Sequence, residues 1–130
     1  MPNYAAWAPR VQSLLRIMTA LLFIEHVLMK LVHFPAPQPG VPSPLPAILV
    51  AAGLIEIVAG GLITLGLFTR IAAFIASGEM AIGYFLFHAP QGFWPGLNGG
   101  DAALLFCFIF LYLAFAGGGE WSLDALRGRP

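Results

Sequence analysis

Charge is what this sequence has least of. Charged residues make up 9% of its 130 positions and hydrophobic ones 59%, whereas a soluble domain carries about a quarter charged. A water-soluble core of this size could not hide so much apolar side chain, so lipid is the expected solvent for much of the chain. The formal net charge is zero, which argues against a nucleic-acid partner. A single cysteine, Cys107, excludes an internal disulfide, a CxxC redox pair and a cysteine-rich metal site. Lying in an apolar stretch with no basic neighbour, it reads as an inert thiol. No metal-ligand spacing, phosphate loop or nucleophile elbow occurs. No small-x-small cleavage site follows the first arginines, and Glu25, His26 and Lys30 interrupt the first apolar run. That run is therefore expected to be a retained span, not a signal peptide.

What the chain does have is four apolar runs. About 20 residues are needed for a helix to cross hydrocarbon ~30 Å thick. The first run extends from about Val11 to Phe34, the second from Pro46 to Phe68 and the third from Arg70 to His88. The fourth covers 101–119 if Gly117–Gly119 continue its helix. Pro35–Pro46 (PAPQPGVPSPLP) cannot be helical and reads as a stiff, extended linker. The second and third runs are so close that a tight hairpin must join them. Asn98–Asp101 reads as a turn and helix cap, and the Asp101 carboxylate suits the positive end of the fourth helix. All five arginines (Arg10, Arg16, Arg70, Arg127 and Arg129) fall on one side of this pattern, and the opposite loops contain neither Lys nor Arg. Both termini are therefore expected in the cytoplasm. The expected fold is all-α: a single domain over 1–130, built as a transmembrane four-helix antiparallel bundle.

Polar residues inside these runs are the candidate site. Glu56 sits near the middle of the second span, on one helical face with Gly53, Gly60 and Thr64. Glu25, His26, Lys30 and His33 fall within ~140° of one another on the first helix at 100° per residue. Glu79 is near mid-depth in the third. Glu25, His26, Lys30, Glu56 and Glu79 are thus expected to converge on one buried polar cluster, with Arg16 a further candidate. An acidic residue at mid-span costs ~2.5–3.5 kcal/mol on insertion scales, so a lone one is disfavoured. Carboxylates that cannot all ionise would share protons, and such a group can give and take protons, as quinone reduction or a proton-coupled carrier requires. The competing interpretation is a static polar plug that fixes helix register. His33, His88, Asn98 and Asp101 are secondary candidates at the outer end. A bis-histidine haem held by His33 and His88 is disfavoured, because the flanking aromatics are bulky where a slot of small residues is needed. No metal site is expected.

Several segments together resemble the DoxX family of small bacterial four-span membrane proteins. They are EHVLMKLVHFP from Glu25, GLIEIVAGGLITLGLFTR from Gly53, SGEMAIGYFLFHAPQGFWP from Ser77, NGGDAALLFCFIFLYLAFAG from Asn98 and WSLDA from Trp121. Val27, His33, Asp101 and Glu120 depart from the family pattern, while the three glutamates and Lys30 do not. The resemblance implies a bacterial inner-membrane protein. Family members are described as oxidoreductases or as membrane subunits of redox complexes; relatives of the DoxD type belong to thiosulfate:quinone oxidoreductase, and others are linked to quinone or thiol stress. It carries over no agreed catalytic residues. Three functions follow as expectations: a membrane subunit of a redox or oxidative-stress system with a quinone site at the Glu/His/Lys cluster; a non-catalytic anchor or assembly subunit; and a small proton-coupled carrier. Expected partners are the bilayer and either a protein of a membrane complex or further copies of the chain.

Overall fold

The computed structural model describes residues 1–129, and among them all regular structure is helical. α1 runs from Tyr4 to Val32. The Asn3 side chain accepts a hydrogen bond from the Ala6 N–H and starts it; His33, in the left-handed conformation at φ 58°, ends it. Its 29 residues give a length of ~43 Å at 1.5 Å per residue, more than hydrocarbon alone requires. The proline-rich linker follows without helix, as its composition dictates.

α2 spans Ala47–Leu65 and stops at Gly66, whose φ of 69° suits glycine. After two more residues, α3 begins at Thr69 and runs to Gly83. The expected tight hairpin is therefore present. α3 continues through a π-helical turn at Tyr84–His88 and a 3₁₀ turn at Ala89–Gln91. A single turn, α4 (Pro95–Asn98), leads to α5 (Asp101–Ala116), and α6 (Leu123–Leu126) closes the described chain.

α1 packs on α2, α2 on α3 and α3 on α5, with α1 returning against α5. The core between them holds Ala20, Phe23, Ala59, Ile63, Ala72, Ala73, Ala76, Phe106, Phe110 and Leu113. Phe23 meets Phe106 and Phe110 edge-on, with ring centroids 5.5 and 5.0 Å away. Small residues set how closely the helices approach. A Cβ on Gly60 would lie 2.8 Å from Ile24 Cγ1. Outside this core the helices present Leu54, Val58, Ile71, Phe74, Phe108 and Phe115, all exposed. Ala47–Leu65 and Thr69–Gln91 are long and apolar enough to cross a membrane.

The fourth run differs from expectation at its end. The helix stops at Ala116, and Gly117–Gly119 do not extend it to 119. Gly117 (φ 86°) and Gly119 (φ 84°) turn the chain back across the bundle instead. A Cβ on Gly119 would stand 2.3 Å from Ser13 Oγ, so only glycine fits this close passage.

Candidate functional site

Three ionisable side chains from three helices meet inside the bundle. Lys30 reaches from the last turn of α1 to place Nζ 2.7 Å from Oε2 of Glu56 on α2. The pair is nearly withdrawn from solvent, with side-chain exposures of 13% and 6%. Glu79 of α3 joins them, within hydrogen-bonding reach of Glu56 and in the field of Lys30. Its Oε2 is buried and has no hydrogen-bond partner among the described residues. Sequence dictates the meeting. Glu56 is the tenth residue of α2, and Gly53 and Gly60 on its packed face let α1 come close. One ammonium beside two carboxylates leaves a net negative charge unless one carboxyl carries a proton. The arrangement thus sets carboxyl groups from two different helices beside a single ammonium.

The other expected members lie elsewhere. Glu25 is exposed, and among the described residues it has no ion-pair or hydrogen-bond partner. The reason is angular. The packed face of α1 is set by Ser13, Arg16, Ala20, Phe23 and Val27, and at 100° per residue Glu25 points roughly 160° away from its centre. Lys30 lies on the near edge of the 140° polar arc and Glu25 on the far edge. His26 is half-buried; its Nδ1 bonds the Leu22 carbonyl at 2.9 Å and its ring meets Phe106 edge-on. Arg16 belongs to the opposite end of the bundle.

At the end of the bundle away from Arg16 the secondary candidates separate too. His33 is an exposed helix terminus. His88 Nδ1 lies 3.1 Å from the Asn98 carbonyl. Asn98 is buried at the centre of a small network: its amide donates to Tyr84 Oη (3.2 Å) and the Gly92 carbonyl (2.9 Å) and accepts from the Gly100 N–H (2.8 Å). Asp101 is exposed in the first turn of α5 and caps nothing with its side chain. An open cleft of about 530 Å³ lies beside this network, lined by Tyr84, Phe85, Pro90, Phe93 and Trp94 among others.

Sequence reasoning missed a second polar assembly, at the arginine-rich end. Arg16, 1% exposed, donates to the carbonyls of Gly118, Trp121 (2.9 Å) and Thr64 (3.5 Å). Asp124 accepts the backbone N–H groups of Phe68 and Thr69, both at 2.9 Å, and so caps α3 from 55 residues away. Burial alone would push the Asp124 carboxyl up. The hydrogen bonds from Thr69 and Phe68, with Arg127 nearby, outweigh it and hold the group below its ordinary value. Ser122 caps α6 through the Ala125 N–H. The only local signal was Ser-x-Asp after three glycines; nothing in the sequence ties it to Thr69 or Arg16.

The DoxX family model matches residues 11–89. An uncharacterized protein from Haemophilus influenzae is 45% identical over 131 residues, covering 95% of this chain and 96% of the relative. No solved structure matches. On this sequence evidence, and with the apolar helices it accompanies, the chain belongs to the DoxX family of membrane proteins.

Proposed function

We propose that the chain is a four-span protein of the bacterial inner membrane with both termini cytoplasmic. In this reading it serves as the membrane subunit of a redox or oxidative-stress system, and Lys30, Glu56 and Glu79 form a proton-exchanging site for a quinone head group. The observation that carries the reading is the trio itself, withdrawn from solvent, with one carboxyl oxygen of Glu79 left without a partner among the described residues. Ionisable groups inside a membrane span are expensive and usually serve an ion, proton or ligand pathway. The orientation is supported by the arginines: Arg16 and Arg70 bind carbonyls at the Gly118 and Phe115 end, and Arg127 stacks on Phe68 there. The spans other than α2 and α3 rest on the apolar exteriors of α1 and α5. Reduction of a quinone to its quinol takes up two protons with two electrons, and in this reading a carboxyl of Glu56 or Glu79 passes the protons on one at a time, regaining each from water. The electrons would come from a partner, since the chain has no dithiol of its own.

The test is titration of the lipid-embedded protein with ubiquinone or menaquinone. Saturable binding is expected, weakened about tenfold or more (~1.4 kcal/mol) in Glu56→Gln or Glu79→Gln. Binding that is absent, or equal in all three proteins, refutes the quinone site. A second reading, a non-catalytic anchor, is favoured by one observation. Two open clefts lie away from the trio, one beside Phe93 and Trp94 and one between Arg70 and Phe115, where a partner's side chains would fit. A co-purifying partner whose activity survives loss of the glutamates, but not loss of the chain, would support it.

A further inference from the structure

At the arginine-rich end of the bundle, we infer that the cleft between the start of α3 and the end of α5 binds an anionic phospholipid, with an acyl chain in the cleft and the phosphate at its rim. The inference rests on α3 crossing the membrane, as proposed above, and not on the quinone site. The cleft has a volume of about 330 Å³ and is lined by Arg70, Ile71, Phe74, Ile75, Ala114 and Phe115. Apart from Arg70 every lining residue is apolar, and Ile71, Phe74, Ile75 and Phe115 are all exposed. The two chemistries are ordered along the helix. Arg70 stands in the first turn of α3, and Phe74 lies one turn further on, ~6 Å along the axis at 1.5 Å per residue. The cleft is thus cationic at the end of the span and apolar toward its interior, the order in which a phospholipid runs from phosphate to chain. Arg70 donates to the Phe115 carbonyl, which holds its guanidinium at the mouth of the cleft. A carbonyl carries no formal charge, so that bond leaves the positive charge in place.

Charge complementarity selects the occupant. Arg10, Arg16, Arg70, Arg127 and Arg129 gather at this end with two acidic side chains, Glu120 and Asp124. Five positive and two negative side chains leave an excess of three positive charges. Glu120 is taken by Arg10, and Asp124 by the N–H groups of Phe68 and Thr69. Arg127 is exposed and lies 4.8 Å over the ring of Phe68, immediately before α3, so a second guanidinium stands at the start of the same helix. The positive end of the α3 dipole adds to both. A zwitterionic headgroup brings an ammonium along with its phosphate and leaves the excess in place. Phosphatidylglycerol brings a net negative charge, and basic pockets between membrane helices suit such headgroups. An acidic protein segment would match the charge as well, but this face belongs to a stretch apolar enough to cross a membrane, where phospholipid is already the neighbour.

The test uses the full chain in phosphatidylcholine bilayers, with trace spin-labelled phosphatidylglycerol or spin-labelled phosphatidylcholine followed by electron paramagnetic resonance. The motionally restricted fraction gives the association of each lipid relative to the bulk. Phosphatidylglycerol is expected to associate about fivefold more strongly or better, the equivalent of the ~1 kcal/mol that one arginine contributes beside an anionic leaflet. Arg70→Gln/Arg127→Gln should abolish most of that preference, whereas Arg70→Lys, which keeps the charge, should retain it. Ile75→Trp fills the cleft and alters no charge; it should abolish the preference too, which a diffuse attraction to surface arginines would not notice. Ile71→Trp, at a more exposed position of the same cleft, is a second filling variant, and far-UV circular dichroism checks that each variant is folded. Inorganic phosphate should compete no better than sodium chloride of equal ionic strength, because it lacks the chain. No preference in the wild type, a preference untouched by the arginine pair or by both filling variants, or displacement by inorganic phosphate each overturns the inference. So does a polypeptide that cross-links, in native membranes, to a photoreactive group placed at Ile75. Release of the protein from vesicles by alkaline carbonate would instead refute the membrane-spanning reading beneath it.

Discussion

Removing Lys30, Glu56 or both should separate a paired charge from an unpaired one more sharply than any other change in this chain. Lys30→Met leaves Glu56 and Glu79 side by side in a site where Glu56 is only 5% exposed, with no cation to offset either. Breaking a buried pair by deleting one partner costs ~3–5 kcal/mol, because the remaining charge stays desolvated. Glu56→Gln should cost less, about 1.5–3 kcal/mol. It forfeits a hydrogen bond to a charged group, but Glu79 already lies in the field of Lys30 and can take the ammonium. The double variant Lys30→Met/Glu56→Leu removes both charges and should fall well short of the sum of the single losses. The assay is reversible unfolding of the detergent-solubilised protein in SDS, followed by far-UV circular dichroism and read as a double-mutant cycle. A coupling below about 0.5 kcal/mol would show that the two groups contribute independently and would refute the account of the pair.

Three further outcomes follow from the packing and from the assembly around Arg16 and Asp124. Asp124→Asn should destabilise the chain by about 1–2 kcal/mol, since it weakens the cap on α3 without removing the side chain. Because the folded Asp124 value is depressed, its contribution is complete above the ordinary carboxylate pKa of about 3.9 and is lost as pH falls through the depressed value. Acid unfolding of the wild type should accordingly be steeper than that of Asp124→Asn. Gly60→Ala should be less stable than Gly61→Ala by about 1–3 kcal/mol. Both gain the same helix propensity, but only the first drives a methyl into Ile24, whereas nothing lies within 4 Å at Gly61. Arg10→Ala should change stability by less than about 1 kcal/mol, because its bond to Glu120 is a solvent-exposed ion pair.

The hairpin, the linker and the place of Glu56 in the middle of α2 could all be read from local pattern, because each is decided by neighbours in sequence. Proline forbids helix in 35–46, and Gly66 ends α2 where a left-handed residue is needed. That Lys30 would meet Glu56 was legible from the shared polar arc and the small residues at Gly53 and Gly60. That Glu25 would not was hidden in the same arc. A 140° sector is wider than a helix–helix contact, and only the rotation of α1 about its axis tells its two edges apart. Arg16 read as a topology marker and as a further candidate for the polar cluster, and proved to be the clasp for a returning tail. Its partners are carbonyls, which every residue has, so sequence could not name them. Asp124 caps a helix 55 residues away for the same reason. The glycines at 117–119 fit either a continued helix or a turn, and the close pass over Ser13 decides for the turn.

Lys30 is the sole lysine of the chain, which makes the central contact directly observable. Protein labelled with ¹⁵N-lysine and side-chain ¹³C-glutamate, embedded in bilayers, gives one ammonium signal for dipolar distance measurement by solid-state NMR. The account predicts strong coupling of that nitrogen to a glutamate carboxyl, consistent with the 2.7 Å contact, unchanged by Glu25→Gln and weakened by Glu56→Gln. No coupling in the wild type, or a coupling that disappears with Glu25→Gln, would contradict it.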